Sequence, residues 1–424
     1  MAAAVTDEGT GLINQHLIDP EICIRCNTCE ATCPSGAITH DDRNYVVDAK
    51  LCNLCMACVP PCPTGAIDNW RAMPRAIAYP IEAQFRWDTL PAPLTDAEIA
   101  AAGVVVIEHE EATSPPSTPI AQPPVAPVPS TYSSTVAPWS AGRPSTNLHG
   151  PRNPVVATVA GNVRVTDAGT QSDTHHIVLD FGSAPFPLLE GQSIGIVPPG
   201  VDGFGRPHVA RQYSIASPRN GERPGYNNAS LTVKRVTVDH DGRATHGTCS
   251  NYLCDLSVGQ RVDVIGPFGA SFLMPNHPRS NLVMICTGTG SAPMRAMTEW
   301  RRRLRKEGSF ESGKLLLFFG ARTREELPYF GPLMSLPRDF IDVNLALSRA
   351  TGQPRRYVQD AMHERAADLG ALLREDTFIY VCGLKAMEAG VLQALAAIAG
   401  QADLDWSALA SSLKRDGRLH LETY

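Results

Sequence analysis

The sequence lacks any apolar run long enough to cross a membrane. Its most apolar stretch of note, VLQALAAIA at residues 391–399, falls well short of the ~20 residues that a membrane-spanning helix needs. The N-terminal MAAAVTDEGT also lacks the basic and apolar regions of an export signal. We therefore expect a cytoplasmic protein, and in that compartment clustered cysteines are more often metal ligands than disulfides.

The sequence also lacks the strongly positive charge of a nucleic-acid-binding protein, since its net charge is -6. Residues 1–70 hold nine Asp or Glu and three Lys or Arg, so the acidic excess lies there. One basic run, RRRLRK at residues 301–306, lies in a predicted helix. We interpret it as a solvated helix face or as a docking site for an acidic partner, and not as a nucleic-acid contact.

Metal-binding patterns based on histidine are lacking as well. None of the 12 histidines has a partner at metal-ligand spacing, and no set of carboxylates and histidines suits a di-iron site. The chain is therefore not expected to be an oxygenase itself.

The 424 residues predict about three folded units. Eleven prolines between residues 108 and 154 indicate an extended, mobile linker. Short β-like runs broken by Gly, Pro and Asp follow it and favour an antiparallel barrel, and from Asn281 buried strands alternate with helices, which is typical of a doubly wound α/β sheet. The predicted domains are residues 1–85 (cysteine-rich, α+β), 86–154 (connecting segment and linker), 155–277 (antiparallel β-barrel) and 278–424 (doubly wound α/β).

Eight of the 12 cysteines lie within residues 23–62, in CIRCNTCEATCP and CNLCMACVPPCP. Both motifs have the spacing C-x-x-C-x-x-C-x-x-x-C-P, and CPSGAI is repeated as CPTGAI. The pattern resembles that of two-cluster bacterial ferredoxins, in which the fourth cysteine of each run binds the other cluster. The resemblance implies two [4Fe-4S] clusters, and a pair of four-cysteine zinc sites is the alternative. The implied ligands are Cys23, Cys26, Cys29 and Cys62 for one cluster, and Cys52, Cys55, Cys58 and Cys33 for the other.

RQYS at residues 211–214, SLTVKR at 230–235 and GTCSNYLCDL at 247–256 resemble, in order and spacing, the flavin-binding motifs of the ferredoxin-NADP reductase family. An arginine offers charge-assisted hydrogen bonds to phosphate, and the free amides that begin a helix suit the FAD pyrophosphate. Any role of Cys249 is expected to lie in its backbone. The FAD-binding residues that the resemblance implies are Arg211, Gln212, Tyr213, Ser214, Thr232, Val233, Lys234, Thr248, Cys249 and Ser250.

The sequence departs from this family where plant-type members have an adenine-stacking aromatic residue, because Val238 occupies that position. The FAD adenine is then either held differently, with His240 as one option, or bound loosely.

TGTGSAP at residues 287–293 follows an apolar strand and opens a helix, as a dinucleotide-binding loop does. Ser348 and Arg349 stand where an NAD enzyme carries an acidic residue, which favours NADPH, although NADH use stays open. The NADP-binding residues implied by the resemblance are Thr287, Gly288, Thr289, Gly290, Ser348, Arg349, Arg355, Tyr357, Gly383 and Leu384. The implied catalytic residues are Ser214, Cys382, Glu422 and Tyr424.

The whole arrangement resembles the reductases that serve the di-iron benzoyl-CoA 2,3-epoxidase of aerobic aromatic degradation. The resemblance implies electron flow from NADPH through FAD and the clusters to a separate oxygenase component. A fused reductase for another low-potential acceptor and a redox sensor without turnover are the alternatives. We also hypothesise that the acidic N-terminal part moves on its tether between Arg301–Arg303 and the external partner.

Overall fold

A computed structural model describes residues 11–101, 144–238, 241–275, 279–310 and 312–424. Most of the predicted linker, as well as His240, lies outside these residues. Among the described helices, none is both long and apolar enough to span a membrane.

The first unit, here called the cysteine-rich module (residues 11–101), is a small α+β fold. Its antiparallel strand pairs are β1 with β4 and β2 with β3. The two cysteine loops lie between these pairs, so that short strands hold irregular segments in place. Its elements are β1 (Leu12–Leu17), α1 (Thr28–Thr32), β2 (Ile38–His40), β3 (Tyr45–Val47), β4 (Asn69–Pro74), α2 (Ile81–Gln84) and α3 (Asp96–Ala101).

The second unit is an antiparallel barrel of six strands in the order β8-β7-β10-β5-β6-β9. Its end strands meet at a bridge between Ile215 and Leu231, which brings the sheet back on itself. Alternate apolar side chains fill the interior, as the sequence pattern predicts. The elements are β5 (Val155–Arg164), β6 (Thr174–Asp180), β7 (Ser193–Val197), β8 (Arg211–Ser214), β9 (Asn228–Lys234), α4 (Thr248–Asp255) and β10 (Arg261–Phe268).

The third unit is a parallel five-stranded sheet in the order β13-β12-β11-β14-β15, covered by helices. The three central strands, β11, β12 and β14, are almost wholly buried, as parallel strands between two helical layers are. Its elements are β11 (Asn281–Thr287), α5 (Ser291–Lys306), β12 (Leu315–Ala321), α6 (Phe330–Ser335), β13 (Ile341–Leu347), α7 (Val358–Glu364), α8 (Ala366–Leu372), β14 (Thr377–Gly383), α9 (Lys385–Gln401), α10 (Trp406–Arg415) and β15 (Leu419–Thr423). The predicted fold class is confirmed.

The interpretation of the basic run on α5 as a solvated face was wrong for its first three arginines, whereas Arg305 and Lys306 are exposed. Arg301, Arg302 and Arg303 are 0%, 6% and 8% exposed. The Arg301 guanidinium lies 5.5 Å from the centre of the Phe310 ring, and Arg303 donates to the Gly221 carbonyl. The long apolar stems of arginine allow such burial when the charged ends find partners.

Candidate functional site

The eight clustered cysteines divide into two sets that surround separate small cavities of the cysteine-rich module. Each set combines three cysteines of one loop with the fourth cysteine of the other loop. The first cavity is lined by Cys23, Cys26, Cys29 and Cys62 and the second by Cys33, Cys52, Cys55 and Cys58. Among the described residues, no group of three His, Cys, Asp or Glu side chains is placed to hold a single metal ion.

The two cysteine loops have matching backbones. In the first loop, Arg25 and Asn27 have φ values of 57° and 61°, and in the second loop Leu54 and Met56 have 56° and 61°. These pairs occupy equivalent positions around the middle cysteine of each motif. Side chains other than glycine rarely adopt this left-handed conformation, so its occurrence four times indicates that both loops are wound to point their sulfur atoms inward.

Several of the cysteine thiols are costly to ionise where they lie. Burial raises the pKa of Cys23 to about 12 and that of Cys58 to about 11. A thiolate there needs a positive charge beside it, which an iron-sulfur cluster supplies. Both cavities fit such a group in ligand type and ligand number.

A cleft of about 660 Å³ lies where the barrel meets the parallel sheet. Its size is that of a cofactor pocket. β8, β9, the start of α4, the glycine-rich turn after β11 and β15 all contribute to its wall. It brings together these predicted residues: Arg211, Gln212, Tyr213, Ser214, Thr232, Lys234, Thr248, Cys249, Ser250, Thr289, Cys382, Glu422 and Tyr424.

Four-residue strand β8 presents Arg211 to Ser214 along this cleft. Burial raises the pKa of Tyr213, and its side chain packs against the barrel core that includes Cys249. The Cys249 thiol donates to the Ile196 carbonyl oxygen at 3.8 Å. The Cys249 side chain is therefore part of the barrel core.

Helix α4 directs its first amides into the cleft because the chain turns tightly at Gly247. A Cβ on Gly247 would lie 2.6 Å from Ser250 Oγ and 2.7 Å from Val236 Cβ. The Ser250 hydroxyl in turn accepts a hydrogen bond from the Val236 amide. A helix start held in this way suits a phosphate group, because its first amides have no partners within the helix.

At the other end of the cleft, strand pairing sets Cys382 beside Glu422 and beside Cys286. Burial raises the pKa of Glu422, and a hydrogen bond from the Ser214 hydroxyl opposes this shift. Glu422 Oε2 is buried and has no hydrogen-bond partner among the described residues. A buried acceptor of this kind suits a bound polar ligand.

The C-terminal residue is held in place and is not frayed. The Tyr424 amide donates to the Gly383 carbonyl, its own carbonyl accepts from the Lys385 amide, and its hydroxyl lies 2.7 Å from Thr289 Oγ1. The Tyr424 side chain is nevertheless 61% exposed, at the mouth of the cleft.

The glycine-rich turn lies directly against the end of β14. A Cβ on Gly290 would come 2.2 Å from the Cys382 carbonyl oxygen, and one on Gly383 would come 2.4 Å from Thr287 Oγ1. The Thr287 hydroxyl also accepts from the Leu384 amide. Both glycines are required by these close approaches.

The four residues predicted to hold a 2′-phosphate lie together at the carboxyl edge of the parallel sheet, outside the cleft. Ser348 and Arg349 directly follow β13, and Tyr357 caps the start of α7. The Arg356 amide donates to the Leu347 carbonyl, which brings the segment around residues 355–357 beside Ser348. The side chains of Arg349, Arg355 and Tyr357 are exposed and free to meet an anion.

Some predicted residues do not line the cleft. The Val233 side chain points into the barrel core with 0% exposure, because alternate residues of a strand face opposite sides. Sequence reasoning in turn missed several lining residues. Ser193 pairs with Ser214 across β7 and β8, and His208 and Val209 lie three and two residues before β8 begins. Strand pairing was the signal for Ser193, and proximity to RQYS was the signal for the other two.

Comparisons with known proteins agree with this geometry. Residues 284–393 match the model of the oxidoreductase NAD-binding domain, and residues 22–66 match that of the 4Fe-4S dicluster domain. The ferredoxin-NADP reductase of Spirulina sp. is 36% identical over 288 residues, which is 66% of this chain and 98% of that protein. The chain belongs to the ferredoxin-NADP reductase family.

Other ferredoxin-NADP reductases are similar over the same share of the chain. The cyanelle enzyme of Cyanophora paradoxa is 37% identical over 290 residues, 78% of its length. The solved structure of a histidine-to-leucine point mutant of the Plasmodium falciparum enzyme shares the fold, with a TM-score of 0.53 at 22% identity over 66% of this chain and 100% of that one. The reductase part is here joined to a 4Fe-4S ferredoxin domain.

Proposed function

We propose that the protein takes electrons from NADPH and passes them through FAD and two [4Fe-4S] clusters to a separate oxygenase component. The convergence of RQYS, the start of α4, Cys382 and Glu422 on one cleft carries this proposal. A cytoplasmic location is part of it, since clustered cysteines bind metal there.

FAD would lie in the cleft, with Arg211 and the start of α4 near its phosphates and Tyr213 along its ring. Bound there, it would supply the exchange of an electron pair for single electrons. Ser214 and Glu422 would hold polar atoms of the reacting rings through their hydrogen bonds. Tyr424, at the mouth, would exclude water until the nicotinamide takes its place.

NADPH would be selected by Ser348, Arg349, Arg355 and Tyr357. A guanidinium donates two parallel hydrogen bonds to a phosphate, and hydroxyl groups complete the set. An acidic side chain, which NAD enzymes use to bind the free ribose hydroxyl, does not occupy position 348 or 349.

The specific partner that we propose is the di-iron benzoyl-CoA 2,3-epoxidase, which makes this chain its reductase component. The motif arrangement noted in the sequence supports this partner. A fused reductase serving another low-potential acceptor would use the same residues.

An anaerobic spectrum with iron and flavin counts, before and after addition of NADPH or NADH, tests the cofactors. We expect eight iron atoms and one FAD per chain, bleached by NADPH much faster than by NADH. Zinc in place of iron, or clusters that stay oxidised while the flavin is reduced, would contradict the proposal. NADPH consumption stimulated by the epoxidase component with benzoyl-CoA tests the partner.

A further inference from the structure

The two cysteine sets are equivalent within their module but differ in their surroundings. Most contacts between the cysteine-rich module and the rest of the protein gather around one of them. This difference assigns the two sets different places in the electron path.

The strongest contact is a bidentate ion pair between Arg223 of the barrel and Asp68 of the module. Arg223 Nε and Nη2 donate to the two Asp68 carboxylate oxygens, both at 2.7 Å. The Arg223 and Asp68 side chains are 13% and 31% exposed, so the pair is partly shielded from water. Arg223 Nη1 also lies 3.5 Å from the Val59 carbonyl oxygen. Paired guanidinium and carboxylate groups of this geometry hold a fixed orientation.

The backbone of β5 packs directly on the residue that follows Cys62. A Cβ on Gly161 would lie 2.8 Å from Pro63 Cβ, so the strand and the proline are in close contact. Cys62 is the fourth cysteine of the first cavity.

Helix α6 packs in the same way on Arg25, which lies between Cys23 and Cys26 in the first loop. A Cβ on Gly331 would lie 2.7 Å from Arg25 Cδ. Leu54, the equivalent of Arg25 in the second loop, lies at the second cavity.

Helix α5 adds two ion pairs close to the start of the first motif. Arg302 lies 3.5 Å from Glu21, and Lys306 lies 3.7 Å from Asp19. The acidic partner expected for the basic run is therefore the chain's own module.

The cleft wall connects to this contact region through Tyr329. Thr232 lines the cleft, and its hydroxyl lies 2.7 Å from the buried Tyr329 hydroxyl. Gly331, which contacts Arg25, is two residues further along the chain. A chain of packed residues thus joins the cleft to the first loop.

The second cavity lies beside exposed apolar side chains. Cys55 is exposed, and Leu51 and Met56 around it are 53% and 39% exposed. An apolar rim at a redox centre suits contact with another protein.

We propose that the cluster at Cys23, Cys26, Cys29 and Cys62 (the inner cluster) is the entry point and that the cluster at Cys33, Cys52, Cys55 and Cys58 (the outer cluster) is the exit. The assignment rests on the proposed function. Each NADPH oxidised to NADP⁺ would give its hydride to the FAD, which thereby gains an electron pair and one proton. The two electrons would leave singly, first to the inner cluster, then to the outer cluster and on to the one-electron acceptor, and the proton would be released to solvent. Electron tunnelling slows steeply with distance, so the cluster on the side that contacts the barrel and the parallel-sheet unit is expected to be reduced first.

Matched cysteine variants test the order in the full chain. Cys26→Ser and Cys55→Ser alter equivalent positions, and iron counts and electron paramagnetic resonance after dithionite reduction establish which cluster each variant keeps. We expect NADPH to reduce the cluster kept by Cys55→Ser at least about tenfold faster than the one kept by Cys26→Ser. Equal rates, or the reverse order, would overturn the assignment.

Charge reversal tests the interface with every cysteine in place. Asp68→Lys and Arg223→Glu are each expected to slow cluster reduction about tenfold, and the double exchange to restore most of the rate. Hydrogen exchange at residues 59–68 should rise in both single variants and fall again in the double variant. Asp88→Lys, the same substitution at an exposed pair with Arg43 within the module, is the control and should change neither. Unchanged exchange and rate in all variants would overturn the docked arrangement.

Failure of the proposed function is distinguishable from failure of this inference. If the proposed function fails, the unmodified chain shows no pair of reducible clusters, whatever the variants do.

Discussion

Glu422 shows how one residue that lines the cleft can carry a cost in stability. Burial raises its pKa, so the folded protein binds its proton more tightly than the unfolded chain does. Stability from this group is therefore present at low pH and is lost as the pH rises through its range. A buried acceptor kept at that cost indicates a role toward a ligand.

Glu422→Gln keeps the shape of the side chain and removes its charge. We expect a higher unfolding temperature than that of the parent at neutral pH, with the difference vanishing at low pH. Flavin reduction by NADPH should slow about tenfold, because the amide offers one acceptor where the carboxylate offers two. Stopped-flow absorbance and thermal melts measure both effects. Ser214→Ala is the companion variant, because it removes the opposing hydrogen bond and keeps the carboxylate. Identical behaviour of the parent and Glu422→Gln would refute the role of Glu422 toward a ligand.

His176 is a second buried titratable residue, placed between the barrel and the parallel-sheet domain. Its Nδ1 lies 2.8 Å from the Tyr329 hydroxyl, and its Nε2 lies 3.7 Å from Glu222, which also pairs with Arg295. Burial lowers the His176 pKa to about 4, an effect that Arg295 strengthens and Glu222 opposes. The folded protein therefore keeps His176 neutral at pH values where the unfolded chain is already protonated.

Stability should consequently fall as the pH drops from 6.5 towards 4. Each unit of pKa shift corresponds to ~1.4 kcal/mol, so His176 accounts for up to about 3 kcal/mol of this loss in stability. Glu222, whose pKa the Arg295 guanidinium helps to lower to about 2, acts in a separate window below pH 4.5. Melting temperatures of the parent and His176→Gln across the upper window check the effect. A slope as steep in His176→Gln as in the parent would mean that another group titrates there.

Among the secondary-structure elements, the turn between β11 and α5 tolerates the least change. Gly290→Ala would place a methyl group against the Cys382 carbonyl, which must then move together with the end of β14. We expect the KM for NADPH to rise about tenfold and the unfolding temperature to fall, since backbone atoms cannot yield as a flexible side chain does.

Gly288→Asn is the control for Gly290→Ala in the same turn. Gly288 has a φ of 54° and no atom within 4 Å of its Cβ position, and asparagine tolerates such a φ. Similar losses in both variants would show that the turn is sensitive to any side chain and not to this one contact.

The sequence predicted elements and local motifs better than the contacts between distant elements. RQYS indicated β8 and TGTGSAP indicated the turn before α5, because these motifs depend on neighbouring residues. The burial of Arg301 depends instead on Phe310 and on the packing of a whole domain against α5. A charge pattern alone does not contain that information, so the basic run was misread.

At the scale of the whole molecule, the three units have very different cores. The barrel and the parallel sheet are each built around large clusters of buried aliphatic and aromatic side chains. The core of the cysteine-rich module is small and includes the metal-ligand candidates Cys29, Cys58 and Cys62 among its buried members. A core of that kind depends on its metal, because the free energy of metal binding contributes directly to the free energy of folding of such a module.

Removal of iron by an anaerobic chelator should therefore unfold the module and leave the other two units folded. We expect hydrogen exchange to rise to near the unstructured rate across β1 to β4, while FAD stays bound and protection in β5 to β15 persists away from the interface with the module. The interface residues Gly161, Arg223 and Gly331 should lose protection with the module, since their partners Pro63, Asp68 and Arg25 all belong to it. Reconstitution with iron and sulfide should restore both regions together. Protection of β1 to β4 that survives complete iron removal would show that strand pairing alone holds the module, and loss across the whole chain would show that the three units unfold as one.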